Sequence, residues 1–323
     1  MDLSPEMASA MHAFAAKVGE DTPVAVLGSG SRGDLGGALL PGTQVLRAPS
    51  GTVEHRRDEL TVSVAAGTAL FELESVLQEG AQTTGLATEG STAGGTVGSA
   101  VATATGGLHG LRFGHMRDAV LGIAAVNASG SVVRAGGSTV KNVSGFDLCR
   151  LFTGSLGTLA LIGALTLRTR PLPRATRWVR CDADPFEVAA MGGCVTSVLW
   201  DGSTTWLHLA GHQSDISTSL RSIESRCRPA GEGIGVVEGP PALPTNRWSV
   251  DPASLPAWST TPPTEGPWVA EVGVGTVHVG EPHRRGTVPE RLATLNRAIK
   301  DRFDPGHRFA PGRSPLGFRG ATT

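Results

Sequence analysis

The sequence has no tyrosine, only 5% aromatic residues and four cysteines. Cys149, Cys181, Cys194 and Cys227 stand far apart and form no C-x-x-C pair. An iron–sulfur cluster or a zinc ribbon needs clustered thiolates, so the pattern excludes both and reads as reduced, packed thiols of a cytosolic protein. Charge of one sign is missing as well. With 28 basic and 29 acidic residues the net charge is −1, which points away from nucleic acid or an anionic membrane surface as the main partner. No run of about 18 apolar residues occurs, so no membrane span is expected. The opening stretch "MDLSPEMASAMHAFAAKVGE" has acids and no basic segment ahead of an apolar core, unlike a secretory leader. No fixed-period repeat is visible.

Glycine is what the chain has in excess: 44 of 323 residues, concentrated before residue 165. At 40% hydrophobic and 18% charged residues the chain is globular and long enough for two domains. Residues 4–19 predict a helix capped by Ser4, with Pro5 in its first turn, Met7, Met11, Phe14, Ala15 and Val18 at helical spacing, and Gly19 as its stop. Strands are expected at 23–28, 60–66, 120–127, 131–135 and 158–169, with a hairpin turning at Ser129-Gly130. A helix over 68–79 is capped by Thr68 and ended by Gly80. Pro171 and Pro173 mark a change of composition, beyond which tryptophans become common, and a boundary is placed near 172. Residues 229–267, rich in proline and glycine, read as an irregular linker or surface excursion. A strand pair at 268–280 and an amphipathic helix at 288–303, with Leu292, Leu295, Ile299 and Phe303 on one face, precede the tail.

Three glycine-rich stretches carry the functional signal. The first, "VAVLGSGSRGDLGG" at 24–37, contains a G-x-G-x-x-G run after a strand. A dinucleotide-binding turn of the nicotinamide type needs a helix directly after it, and Gly36, Gly37, Pro41 and Gly42 leave no room for one. The loop still offers several amides to an anion such as a pyrophosphate. The second, "STAGGTVGSAVATATG" at 91–106, has small residues almost throughout. A core element would carry larger side chains there, so the stretch reads as backbone lying against a ligand, with hydroxyls from Thr92, Thr96, Ser99 and Thr103 and open amides at Gly94, Gly95 and Gly98. The third, "GSLGTLALIGALTLRTRP" at 154–171, is a glycine turn feeding a buried strand.

The order of "VLGSGSRGDLG", "TEGSTAGGTVGSAVATATGGLHGLRFGHMRDAVLG", "GGSTVKNVSGFDLCRLFTGSLGTLALIGALTLRTRPLP" and "DPGHRFAPGR" resembles the FAD-linked oxidases of the vanillyl-alcohol oxidase type, with a PCMH-type FAD-binding domain. Within them it is most similar to the flavin-binding E subunits of bacterial glycolate oxidases. The likeness covers 22–173 well, 290–313 moderately and 174–285 loosely. It implies an α+β fold: an FAD-binding domain of two α+β subdomains over residues 1–172, a smaller α+β cap domain over 173–285, and a C-terminal helix and tail over 286–323 that return to the flavin domain. It implies FAD as cofactor, with the loop Gly28, Ser29, Gly30, Ser31 and Arg32 at the pyrophosphate. Thr92, Gly94, Gly95, Thr96, Gly98 and Ser99 would run beside pyrophosphate and ring, Gly106 and Gly114 would allow close passage, and Gly157 and Ile162 would border the adenine half. The first loop lacks the histidine that carries covalent flavin in such proteins, so the FAD is expected to be non-covalent, with His109 and His115 as the only other attachment points in the ligand stretch.

The same resemblance implies oxidation of glycolate or another small 2-hydroxy acid, and transfer of electrons to an iron–sulfur partner, alongside a second flavin subunit. The location implied is cytoplasmic, peripheral to the inner face of the membrane through partners. An alternative is an FAD-binding relay or assembly subunit with no substrate chemistry of its own. Related catalytic subunits carry His-x-Gly-Asp-Gly-Asn-x-His, whose histidines help hold a divalent metal. Here "EVGVGTVH" at 271–278 keeps the glycines and His278 but has Glu271, Val274 and Thr276 at the other positions. Glu271 with His278 as metal ligands and a strand pair filling a core both remain open. No metal is assigned. The catalytic candidates are His278 and Arg313, the latter as a cation near flavin N1/O2, although Ala310 stands where the family has asparagine. His208 and His212 read as structural; Lys141 and Asn142 read as loop packing, with a functional role left open.

Overall fold

The computed structural model describes residues 1–30, 33, 35–51, 53–86, 94–137, 147–228, 233–262, 264–281 and 288–318. The chain opens with helix α1 (Pro5–Val18), where Ser4 caps the first turn by accepting from the Met7 amide at 3.3 Å. Strands β1 (Val24–Val26) and β2 (Gln44–Leu46) form a small parallel pair. Among the described residues between them no helix follows the first glycine loop, as its glycines and Pro41 dictate.

Strands β3 (Val53–Arg56) and β4 (Thr61–Ala65) lead into helix α2 (Leu70–Glu79), short strand β5 (Gln82–Thr83), and helices α3 (Val97–Ala102) and α4 (Gly110–Phe113). Strands β6 (Val120–Val126), β7 (Val132–Gly136), β8 (Leu161–Arg168) and β9 (Arg170–Pro171) follow. An antiparallel sheet results, in the order β3-β4-β8-β6-β7, with β5 and β9 paired beside it. Every residue of β4 is buried, because the sheet is covered on both faces. Met7, Met11, Phe14 and Val18 of α1 pack on Ala124, Val126, Leu161 and Ala164. On the other face Leu70, Leu73, Leu77, Val97 and Val101 pack on Val62, Val64, Leu165 and Leu167. Each large apolar side chain so buried contributes about 1.5–3 kcal/mol.

Two local expectations are corrected here. Helix α2 begins one residue past the expected cap: Ala69 takes that position, and the Thr68 hydroxyl accepts from the Gly51 amide at 3.1 Å instead. The stretch 91–106 is also less purely backbone than expected, since α3 lies within it and buries Val97, Ala100 and Val101. Its small residues let it pack flush: a Cβ on Gly98 would stand 2.7 Å from the Ala66 Cβ.

Strands β10 (Ala175–Cys181), β11 (Val195–Trp200), β12 (Thr205–Gly211), β13 (Gly235–Val237), β14 (Asn246–Ser249), β15 (Trp268–Glu271) and β16 (Thr276–Val279) make a second sheet, in the order β13-β10-β12-β11-β15-β16-β14. Its core carries Trp200, Trp258 and Trp268 in edge-to-face contacts at 5.1 and 5.5 Å. The expected irregular excursion at 229–267 is therefore wrong in part. Its two short strands, β13 and β14, form both edges of this sheet, and the 3₁₀ segment Pro252–Ser259 buries Leu255 and Trp258. Strands of three or four residues among prolines carry too little periodicity to be read from sequence.

Helix Glu290–Phe303 then leads back to the first sheet, Phe303 meeting Phe152 edge-to-face at 5.9 Å. Its apolar face is only half covered, and Leu295 is exposed. Beyond it, buried Asp304 accepts from Lys300 Nζ at 2.6 Å and from the Arg308 and Phe309 amides. Lys300 also donates to the Thr158 and Phe309 carbonyls, and Arg308 donates to the carbonyls of Val18 and Gly19. Phe309 bridges β1 at Val24. Among the described residues no helix is long and apolar enough to cross a membrane.

Candidate functional site

The three glycine stretches meet around one cleft of about 340 Å³. Gly28, Ser29 and Gly30 line one side, Gly94, Gly95, Thr96, Gly98 and Ser99 the second, and Gly157 and Ile162 the third. Arg313 reaches it from the tail. The sequence nominated all of these positions. Ser31, Arg32, Thr92, Lys141 and Asn142 lie outside the described residues.

Local structure explains the convergence. Gly30 sits at φ +86°, a left-handed conformation that L side chains avoid, and a Cβ there would meet no protein atom within 4 Å. Gly94 is equally open, whereas a Cβ on Gly28 would strike the Thr96 hydroxyl at 2.6 Å. The wall at Gly30 and Gly94 is thus bare backbone. The Thr96 and Ser99 hydroxyls, expected to face a ligand, spend their bonds on each other's amides in a capping box at the start of α3. The Thr103 hydroxyl similarly bonds back to the Ser99 carbonyl. The tail is laced to the first loop: Arg313 donates to the Gly33 carbonyl, the Ser314 amide to Gly36 and the Leu40 amide to Pro311.

Several cleft residues escaped the sequence reading. Gly67 is required because a Cβ would fall 2.4 Å from the Ala48 carbonyl oxygen, a demand set by a residue well upstream in the chain. Leu156 has φ +58°, uncommon for a residue with a side chain, and lines the cleft beside Gly157. Arg47 also lines it and donates to the Leu27 carbonyl at 3.2 Å.

Gly106 and Gly114 are not in this cleft. They border a separate hollow of about 30 Å³, shared with His109, His115 and Phe113. His109 leads into the second sheet, its ring 4.7 Å from that of His208, which packs at 4.9 Å on Trp178. Burial pushes the His208 imidazole down to about 4, with His109 adding to the effect. His109 is lowered by burial too, against the opposing field of the Glu271 carboxylate. Both rings are therefore neutral at pH 7.

His278 is buried in β16, and its Nε2 lies 2.9 Å from Glu271 Oε1. Arg247 from β14 donates to the same oxygen at 3.0 Å and reaches toward the Gly106 carbonyl at 3.4 Å. This arrangement orients an imidazole with a carboxylate and ties the second sheet to the loop before α4. The Nδ1 atoms of His109 and His278 are buried with no hydrogen-bond partner among the described residues, so each can still accept or donate a proton. Among the described residues no three His, Cys, Asp or Glu side chains group to hold a metal; the Glu271 oxygen is committed to a guanidinium and an imidazole. The two catalytic candidates do not share a site. Arg313 belongs to the glycine cleft and His278 to the second sheet.

The architecture is that of an FAD-binding α+β protein of the PCMH type. Two crystal forms of alkyldihydroxyacetonephosphate synthase share the fold at TM-scores of 0.62 and 0.63, with 12% and 13% identity, covering 93% and 95% of this chain and 73% and 74% of theirs. Residues 4–136 match the family model described as FAD binding domain, and FAD is the cofactor that this match supports. It is 31% identical to glycolate oxidase subunit GlcE of Escherichia coli over 163 residues, 50% of this chain and 47% of that subunit. It is 38% identical to glycolate oxidase subunit GlcD of Bacillus subtilis over 86 residues, 27% of this chain and 18% of that one. Against D-lactate dehydrogenase of Archaeoglobus fulgidus the figures are 46% over 74 residues, 23% and 17%. The aligned stretches span less than half the length of each relative.

Proposed function

We propose that the chain is an FAD-dependent oxidoreductase subunit of a glycolate-type 2-hydroxy-acid oxidase or dehydrogenase complex. Electrons would leave it for an iron–sulfur partner, beside a second flavin subunit, at the cytoplasmic face of the membrane. The observation that carries this reading is the meeting of three side-chain-poor segments at one cleft, in a chain related to two glycolate oxidase subunits. The residues present suit a flavin dinucleotide. The open amides around Gly28–Gly30 and Gly94–Gly95 would take the pyrophosphate, Gly157 and Ile162 the adenine half, and Arg313 would add positive charge at the loop. When bound, FAD supplies a hydride acceptor for the Cα–H of a hydroxy acid. The small hollow at Gly106 and Gly114, about 30 Å³, has room for a water rather than a hydroxy acid, and the imidazole that would take a hydroxyl proton is His278, oriented by Glu271. With no histidine in the described part of the first loop, the flavin is held without a covalent bond.

Acid precipitation of the yellow protein should leave the flavin in the supernatant. Colour in the pellet would defeat the non-covalent assignment, and protein that cannot be reconstituted with FAD would defeat the whole reading. A second reading, a relay or assembly subunit, is favoured by one feature: Glu271 and His278 are tied to each other and to Arg247. Anaerobic glycolate or D-lactate separates the two. An enzyme bleaches alone, whereas a relay bleaches only with its partner.

A further inference from the structure

At the far end of β4 and β8 from the glycine cleft lies a larger cavity of about 470 Å³. Thr61 and Arg168 border it, while Ala66 and Ile162 border the cleft; five strand residues at about 3.3 Å each separate the two by roughly 17 Å. Three guanidinium groups line it: Arg112 from α4, Arg168 from the end of β8, and Arg170 from β9. Among the described residues none of the three pairs with a carboxylate. The one acid in the wall, Glu59, is turned to Arg56 at 3.6 Å. Arg170 is fixed, donating to the Phe113 carbonyl at 3.3 Å with its guanidinium 4.8 Å from the Phe113 ring centre. Its ionisation is depressed, first by burial and then by the fields of Arg168 and Arg112. Like charges gathered without a counter-charge repel, and planar guanidinium forks match carboxylates in pairs. Apolar surface from Leu60, Leu121 and Pro171 completes the wall.

We propose that this cavity binds a small organic polycarboxylate, gripped by Arg112, Arg168 and Arg170. The charge count asks for more than one carboxylate, and the apolar wall and the volume suit a carbon skeleton better than a bare inorganic anion. Thr196 and Ala210 of the second sheet complete the lining, so the bound anion would bridge the two sheets. Arg168 and Arg170 also border the small hollow at Gly106 and Gly114, but the cavity and its charges stand whether or not the flavin is bound.

The test is calorimetric titration of the FAD-loaded chain with citrate, against inorganic phosphate and sodium chloride at matched ionic strength. Citrate should bind at least tenfold more tightly than phosphate and raise the melting temperature. Arg168→Gln should weaken citrate about tenfold, the scale of one charge-assisted contact. Arg112→Gln, on an exposed side chain, should weaken it severalfold. Citrate heats no larger than those of chloride, phosphate binding as tightly as citrate, or citrate affinity unchanged in both variants would each overturn the site. A protein that keeps its yellow colour but ignores citrate refutes this proposal alone, and a colourless one that binds citrate refutes the flavin reading alone.

Discussion

Around the glycine cleft the chain presents backbone: amides, a left-handed glycine, and helix caps that consume the nearby hydroxyls. In the second sheet side chains take over, with edge-to-face tryptophans, neutral histidines and a buried carboxylate held by an arginine and an imidazole. The first region offers open space bounded by backbone. The second fixes one arrangement by satisfying charges internally. Mutations should therefore act in opposite ways: added bulk damages the cleft, and removed polarity damages the sheet.

The largest effect is expected at Glu271. Replacing it by leucine leaves Arg247 and His278 facing a missing acceptor, and breaking such a buried pair costs about 3–5 kcal/mol. Urea denaturation of Glu271→Leu would read it, and a loss below about 1 kcal/mol would mean the pair is solvated, contrary to the contrast drawn above.

Next comes the cleft. Gly98→Val must push against Ala66 and should cost about 1–3 kcal/mol of apoprotein stability as well as flavin retention. Gly94→Val meets no protein atom and needs no left-handed backbone, so flavin affinity should fall far more than the stability of the apoprotein. Equal ratios of flavin loss to stability loss in the two variants would show that Gly94 does not face the ligand.

The third prediction concerns acid. His208 titrates near 4 in the folded chain, against about 6.5 unfolded. The folded pKa is the depressed one, so the unfolded state takes up protons first. Stability is constant above about pH 6.5 and falls between there and pH 4, by about 2 kcal/mol at pH 5 from this group alone. His109 adds in the same direction. Urea midpoints at pH 7.5 and 5.0 check it, and His208→Asn should flatten the difference.

The smallest effect is at Ala310, which holds φ +43° just before Pro311. Glycine adopts that conformation freely but gives up a buried methyl, so Ala310→Gly should change stability by less than about 1 kcal/mol, seen as a small shift in melting temperature.

These two regions were also unequally legible in the sequence. Helix α1 with its Ser4 cap, the β6–β7 hairpin and the strand pair β15–β16 follow from periodicity and turn chemistry. The cleft was readable because small residues in long runs have few structural uses. What could not be read is what depends on distant partners. The partner of Glu271 is Arg247, on a four-residue edge strand inside a proline-rich stretch. Gly67 is demanded by Ala48, and the gathering of Arg112 with Arg168 and Arg170 exists only once α4 lies against the sheet.

The lacing of Arg313 and Ser314 to Gly33 and Gly36 sets an order of events during synthesis. The first glycine loop emerges from the ribosome early, yet the wall that closes it is made nearly three hundred residues later. On the proposed reading of the cleft, a chain cut just after the Glu290–Phe303 helix would keep most of its hydrophobic interior while losing the Arg313 side of the flavin site.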